Sequence, residues 1–260
     1  MNVAHVIDGS ETKPVLVLSN SLGTTWALWD AQLGELTRHF RVLRYDHPGH
    51  GRSEAPSGPT TVEALAAGVV ELLDRLGLER VSFCGLSLGG MVGMALALEA
   101  PERVDRLALC CTAAHLGPPE GWHERARLVR AAGTAAIAER VLERWFTQRY
   151  RDESPATVRR FRETLEATPP EGYATCCEAI ASWDARTSIG AIRAPTLVIA
   201  GAQDVATPPE DGAFLAESIP AAELIVLSDA AHLANVEQPE PFNQALLGHF
   251  VVPSSSEEAA

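Results

Sequence analysis

Three polar residues in this chain sit where an apolar run has just ended. Ser87 follows the run Val81–Cys84, Asp204 follows Thr196–Ala200, and His232 follows Leu224–Leu227. A serine hydroxyl is a poor nucleophile until a base removes its proton, and the base needs an acid to hold its tautomer and orientation. Serine, aspartate and histidine in that order, each on the loop after a different strand, meet both needs. The serine carries a further signature. Residues 83–90 read FCGLSLGG, so Gly85 and Gly89 complete the spacing G-x-S-x-G. Within four residues a strand must become the Ala-, Leu- and Met-rich helix that follows. Side chains at the two glycines would collide with the neighbouring strand and helix, and the sharp corner lifts the hydroxyl clear of the sheet. Taken alone, the pattern also describes a tightly packed turn with Ser87 as a helix N-cap.

The acid role has rivals in Asp211 and Asp229, but Asp229 lies only three residues before His232 on the same loop, whereas Asp204 follows a different strand. The base role has rivals in His47, His50, His115, His123 and His249. Only His232 follows the last strand, and His50, in a Gly-rich loop, reads equally as a packed structural residue. Attack on a carbonyl creates an oxyanion that needs two backbone N–H donors. Leu88, next after the serine and at the positive end of its helix, supplies one. By position Leu22, in the loop Asn20-Ser21-Leu22-Gly23, supplies the other, although it reads equally as an ordinary loop residue.

Loops that converge in this way need a sheet whose strands run in parallel. Apolar runs recur at Val15–Ser19, Val42–Tyr45, Val81–Cys84, Val104–Cys110, Thr196–Ala200 and Leu224–Leu227, with a further candidate near Ala4–Ile7. Several are apolar on consecutive residues, as parallel strands covered on both faces are. Helix-like stretches lie between them at Trp26–Thr37, Val62–Leu76, Leu88–Ala100, Pro209–Ser218 and Pro239–Phe250. This alternation predicts an α/β fold with a doubly wound, mostly parallel sheet. Residues 117–190 break the rhythm with four helical patterns (Trp122–Ala132, Ala135–Phe146, Pro155–Ala167, Gly172–Ser182) and no strand. The chain therefore divides into a core of residues 1–116 and 191–252, a helical cap of residues 117–190 inserted after the sixth strand, and a tail of residues 253–260 with a disordered composition.

The 260 residues carry a formal net charge of −13, which argues against nucleic acid or an anionic membrane as a partner. Residues 117–190 hold 11 Arg and 11 Asp or Glu, so the cap is neutral and the remainder carries the whole charge. An anionic ligand would therefore draw on cap arginines, though any one of them reads equally as half of an i,i+4 surface pair. The five cysteines, at 84, 110, 111, 176 and 177, are odd in number and include two vicinal pairs. That suits a reducing compartment better than a disulfide framework, and no C-x-x-C spacing suggests zinc. Residues 1–10 lack the pattern of a signal peptide, and no apolar run reaches membrane-spanning length. The expectation is a cytoplasmic protein with no metal; composition says nothing of its oligomeric state.

These residues resemble the 3-oxoadipate enol-lactonase family of α/β-hydrolases. The similarity runs from about Val15 to Phe250, through SNSLGTTWALWDAQLGELTRHFRVLRYD, GHGRS, FCGLSLGGMVGMALALEAPERVDRLAL and AAHLANVEQPEPFN. The order Ser, Asp, His and the GHG triplet belong to the whole superfamily. More specific are Asn20-Ser21-Leu22-Gly23-Thr24, where many relatives have His-Gly, and the cap sequences Trp122-His-Glu-Arg-Ala-Arg and Arg144-Trp145-Phe146-Thr147. Residues 46–51 read DHPGHG, with Pro48 where enol-lactonases usually carry Arg.

The resemblance implies an α/β-hydrolase fold and a serine hydrolase that opens a five-membered enol lactone bearing a free carboxylate. The product would be 3-oxoadipate, in the beta-ketoadipate pathway of bacterial aromatic catabolism. It implies no cofactor and a small anionic lactone as substrate. Trp122, Arg125, Arg144 and Trp145 are the candidates to bind it; each reads otherwise as a helix-surface arginine or a core tryptophan. A general carboxylesterase or a cofactor-free perhydrolase would use the same three residues without a carboxylate clamp. A non-catalytic ligand receptor would keep the scaffold without turnover. Enzymes of this scaffold with a carboxylate nucleophile are disfavoured by Ser87.

Overall fold

The computed structural model describes residues 3–56, 58 and 60–251. Seven strands form one sheet: β1 (His5–Asp8), β2 (Val15–Ser19), β3 (Arg41–Tyr45), β4 (Val81–Leu86), β5 (Val104–Cys110), β6 (Thr196–Gly201) and β7 (Glu223–Leu227). Their order across the sheet is β1-β3-β2-β4-β5-β6-β7. The edge strand β1 runs antiparallel to β3, and every other pairing is parallel. Strands β4 and β6 are buried at every position, as their unbroken apolar runs require. At the far edge β7 leaves Glu223 and Val226 exposed.

The connections obey the amphipathic rule except where the fold needs otherwise. Helix α1 (Asp30–Leu36) precedes β3, α2 (Val62–Arg75) precedes β4, and α3 (Leu88–Glu99) precedes β5. In α2 the buried residues Val62, Leu65, Ala66, Val69, Leu72 and Leu73 form one stripe, and the Thr61 side chain accepts from the Ala64 N–H as an N-cap. Helix α3 has no polar face: Leu88 to Ala97 are all buried. A helix apolar all round belongs inside the molecule, and its start is therefore rigidly placed.

The insertion comprises α4 (Pro119–Ala132), α5 (Ala138–Trp145), α6 (Gln148–Glu153), α7 (Pro155–Glu166) and α8 (Pro170–Ser182). Helix α6 has no apolar period to announce it; Thr147 starts it by accepting from the Tyr150 N–H. After the cap come α9 (Pro209–Ser218), α10 (Ala234–Glu237) and α11 (Pro239–Phe250). Proline at the first position opens α4, α7, α8, α9 and α11, where its missing N–H costs nothing. One expectation needs correcting. The cap follows the fifth strand rather than a sixth, because the chain ahead of Val15 forms a single short edge strand. The tail of residues 253–260 lies outside the described residues.

The two ends of the insertion meet at its base, where His115 bridges Asp184 and the Ala185 N–H donates to the Ala114 carbonyl at 2.8 Å. Its far end, the first turn of α8, rests on the loop of residues 46–51 at backbone contact. A Cβ on Gly172 would lie 2.3 Å from the Gly49 carbonyl oxygen, and one on Gly49 would lie 2.3 Å from the Gly172 Cα. Both obstacles are backbone, which cannot rotate away. Gly172→Ala should therefore destabilise the protein by about 1–3 kcal/mol, seen as a melting temperature lower by several degrees in calorimetry. An unchanged melting temperature would mean that the cap is not seated on this loop.

Candidate active site

The strand-to-helix corner at Ser87 is as sharp as its spacing predicts. Ser87 has φ 58° and ψ −116°, in a region that side chains with a Cβ avoid. Its N–H donates to the Cys110 carbonyl at 2.9 Å, and its own carbonyl accepts from the Thr112 hydroxyl at 2.7 Å. The glycines are needed for space. A Cβ on Gly85 would lie 2.1 Å from the Gly89 carbonyl oxygen, and one on Gly89 would lie 2.2 Å from the Ser19 carbonyl oxygen. The expected collisions with helix and strand are thus with α3 and β2.

Asp204 and His232 come together behind the serine. The His232 Nδ1–H donates to Asp204 Oδ2 at 2.8 Å. That bond fixes the tautomer and leaves Nε2 as the basic nitrogen. Asp204 receives three further hydrogen bonds: from the Thr207 hydroxyl at 2.7 Å and from the Ala206 and Thr207 N–H groups at 2.7 and 3.0 Å. Burial alone would raise the Asp204 carboxyl, but His232 and the Thr207 donors outweigh it and hold it below the usual aspartate value. The rivals for the acid lie elsewhere. Asp211 opens α9, and Asp229 is exposed to solvent. Thr207 was missed from the sequence, although a threonine three residues after an acid is a recognisable local turn.

The loop after β2 is tied directly to the serine corner through Asn20. Its carbonyl accepts from the Gly89 N–H at 3.0 Å and from His47 Nε2 at 2.9 Å. Its side chain donates to the Tyr45 carbonyl and accepts from Trp29 Nε1. Next, the Gly23 N–H donates to His50 Nε2 at 3.0 Å, so His50 must carry its proton on Nδ1, which faces the Pro48 carbonyl at 3.1 Å. The N–H groups of Gly23 and Gly89, the residues after Leu22 and Leu88, are thus committed within this cluster. His47 and His50 are therefore structural members of this loop cluster; His115 Nδ1 bonds the Trp183 carbonyl at the cap base, and His249 lies in the last turn of α11, its backbone carbonyl accepting from Arg106.

One cavity collects the reacting candidates and the cap candidates. It is lined by Leu22, Ser87 and His232 from the core, and by Trp122, Arg125, Arg144 and Trp145 from the cap. Leu88 and Asp204 are buried behind this surface. Ser21, Tyr173 and Thr207, which sequence reasoning did not single out, also reach it. The Arg125 guanidinium lies 4.6 Å from the centre of the Trp122 ring, a cation–π stack. Arg144 is held below the ordinary arginine value by partial burial and by the positive charges of Arg125 and Arg140. Other cap arginines form surface pairs: Arg149 with Glu153 and Arg162 with Glu166 at the expected i,i+4 spacing, Arg130 with Glu171 on another helix, and Arg186 with Asp184 two residues before it. Among the described residues, Arg125 and Arg144 form no such pair.

Comparison with known proteins agrees with this geometry. The model of the alpha/beta hydrolase fold family matches residues 14–239. The chain is 42% identical over 238 residues to 3-oxoadipate enol-lactonase 2 of Acinetobacter baylyi, covering 92% of this chain and 89% of that protein. It superposes with a TM-score of 0.93 on the enol-lactonase from Burkholderia xenovorans LB400, at 44% identity, covering 95% of each chain. It does so equally, with a TM-score of 0.93 at 47% identity, on a hydrolase from Pseudomonas aeruginosa PA01, covering 96% of this chain and 94% of that one.

Two measurements check the site. Asp204→Asn should lower kcat on a neutral aryl ester by about 10^4-fold, because an amide supports the wrong imidazole tautomer. A loss below tenfold would remove Asp204 from the role. The second concerns pH. Burial lowers His47 to about 3, helped by the neighbouring His50, and lowers His50 to about 4. Below the unfolded value of about 6.5 the unfolded chain takes up protons that the native state refuses. Their contribution to stability is complete above that value and shrinks as pH falls from about 6.5 towards 4, by up to about 1.4 kcal/mol per pH unit for each histidine. Urea midpoints should be level above neutrality and fall between pH 6.5 and 5; a level midpoint across that range would contradict neutral, buried imidazoles.

Proposed function

The chain belongs to the α/β hydrolase fold family, within it to the 3-oxoadipate enol-lactonases, and is a hydrolase; from that premise we propose that it opens 3-oxoadipate enol-lactone to 3-oxoadipate. The observation that carries this reading is the pair Arg125 and Arg144, unpaired by any carboxylate among the described residues and facing the cavity that holds Ser87 and His232. In a protein of net charge −13, two neighbouring guanidinium groups are costly unless an anion joins them. A lactone with a free carboxylate supplies that anion and places its ring over the serine.

Ser87 Oγ attacks the lactone carbonyl while His232 Nε2 takes the hydroxyl proton. Asp204 keeps the imidazole in orientation and stabilises the imidazolium. The N–H groups of Leu22 and Leu88 receive the oxyanion. Collapse of the tetrahedral intermediate breaks the ring C–O bond and expels an enolate, a far better leaving group than an amide nitrogen. The enolate stays tethered to the acyl-enzyme and would close the ring again. Protonation at carbon, by the proton that His232 took from Ser87, turns it into a ketone, which removes that nucleophile and returns His232 to its basic form. Water, deprotonated by His232, then attacks the acyl-enzyme and releases the dicarboxylate. Each step uses side chains, backbone N–H groups and water alone.

In this reading the enzyme serves bacterial aromatic catabolism in the cytoplasm. The five cysteines, all buried and free, support a reducing compartment. Arg125→Ala and Arg144→Ala should each raise KM for the anionic lactone by about 10- to 100-fold, the worth of a hydrogen bond to a charged group. KM for a neutral aryl ester should stay within twofold. The check is steady-state kinetics with enol lactone generated in situ and followed by loss of ultraviolet absorbance. Equal effects on both substrates would remove the carboxylate clamp. Fast ester turnover with an inert lactone would make the protein a general carboxylesterase.

A further inference from the structure

Glu237 is a buried carboxylate whose hydrogen-bond donors are all uncharged. One oxygen, Oε1, accepts from the Thr147 N–H at 2.7 Å and from the Thr147 hydroxyl at 2.9 Å. The other, Oε2, accepts from the Ala231 N–H. Burial pushes this carboxyl above the usual glutamate value, and the three donors pull it only part of the way back. A buried charge held without a cation contributes little to stability and is cheaper to replace by a well-packed apolar side chain. Its use has to be sought in what it joins.

The two segments it joins are the two halves of the site. Ala231 immediately precedes His232. Thr147 lies two residues after Trp145 and three after Arg144, at the point where α5 ends, Phe146 runs extended and α6 begins. A second bond runs alongside: the Leu233 N–H, just after His232, donates to the Trp145 carbonyl at 2.9 Å. Glu237 itself sits in α10, with its N–H bonded back to the Leu233 carbonyl. The carboxylate is thus a short strut between the loop of the base and the end of the helix that carries Arg144 and Trp145.

We propose that Glu237 is a positioning residue for the reaction, holding the loop of His232 on one oxygen and the Arg144–Trp145 end of the cap on the other. The base and the carboxylate-binding wall then keep one spacing, which is the spacing between the lactone carbonyl and its carboxylate. All three partners are donors, so only a group that accepts on both oxygens can fill the role. Glutamine keeps one acceptor and turns an NH2 group towards the donors on the other side. This inference rests on the reading of Ser87 and His232 as the reacting pair.

The test compares wild type, Glu237→Gln, Thr147→Val and Thr147→Ser on the anionic enol lactone and a neutral aryl ester, with Ser87→Ala as a control. Glu237→Gln should lower kcat on both substrates by about 10- to 100-fold, the cost of misplacing a catalytic group, and should raise KM for the lactone alone. Thr147→Val removes the hydroxyl donor on the cap side of the strut, together with the N-cap it gives α6, and leaves the backbone N–H bond to Oε1 in place. It should raise the lactone KM about threefold and leave both kcat values, while Thr147→Ser behaves as wild type. A Glu237→Gln protein with a lower melting temperature but wild-type kcat and KM would overturn the proposal, since a merely structural glutamate predicts that result. If Glu237→Gln does not fold, equal lactone KM for Thr147→Val and Thr147→Ser overturns it instead. A Ser87→Ala protein that stays active would overturn the reading of the site as well; an inactive one beside an unaffected Glu237→Gln would overturn this inference alone.

Discussion

The backbone of Ser87 is the constraint around which the rest is arranged. A non-glycine residue at φ 58° and ψ −116° stores about 1–3 kcal/mol of strain and persists only where its surroundings over-determine it. Here they do so on every side. Strand β5 takes its N–H, Thr112 bonds its carbonyl, and the N–H groups of Gly90 and Met91 return to that same carbonyl. The next residue but one, Gly89, is bonded to Asn20, so the loop after β2 is registered to the serine within one hydrogen bond. Because α3 is buried along most of its length, the corner cannot relax by sliding its helix. Strain at the serine is offset by the buried strand and helix that flank it.

Charge is arranged with the same economy. The residues outside the cap carry the entire negative charge of the chain, and the neutral cap spends many of its arginines on surface pairs that contribute little stability. Two are left facing the cavity, where partial burial and mutual repulsion make Arg144 easier to deprotonate than an ordinary arginine. Behind the cavity wall Asp204 accepts four hydrogen bonds, none of them from a cap arginine, so the pairing of the base with its acid does not draw on the cap charges.

Much of this was legible in the chain. Five of the six apolar runs match their strands to within one residue at either end, and the other, Val81–Cys84, continues into Gly85-Leu86 because the strand itself runs up to the elbow. The order Ser, Asp, His after separate strands singled out three residues, of which the structure bonds Asp204 to His232 and places Ser87 on the same cavity as His232. Less visible were the short helices α6 and α10, since six and four residues are too few to show a period. The stretch Trp26–Thr37 reads as one helix, yet it starts as a 3-10 turn over Trp26–Trp29 before α1 begins. Glu237 stands in the stretch AAHLANVEQPEPFN with no purpose visible there, because its partners Thr147 and Ala231 are 90 and 6 residues away.

What the sequence determined by itself was local or periodic: the glycine spacing around Ser87, the alternation of apolar runs with helices, the proline starts of helices and the loops after which chemistry is expected. Each follows from interactions among residues near one another in the chain. Tertiary structure alone decided which arginines face Ser87 and which face water, because helix position and not residue type sets that choice. It decided too that His50 serves the Gly23 loop and that one carboxylate joins the cap to the base. Those assignments depend on contacts between segments far apart in sequence, and no local spacing encodes them.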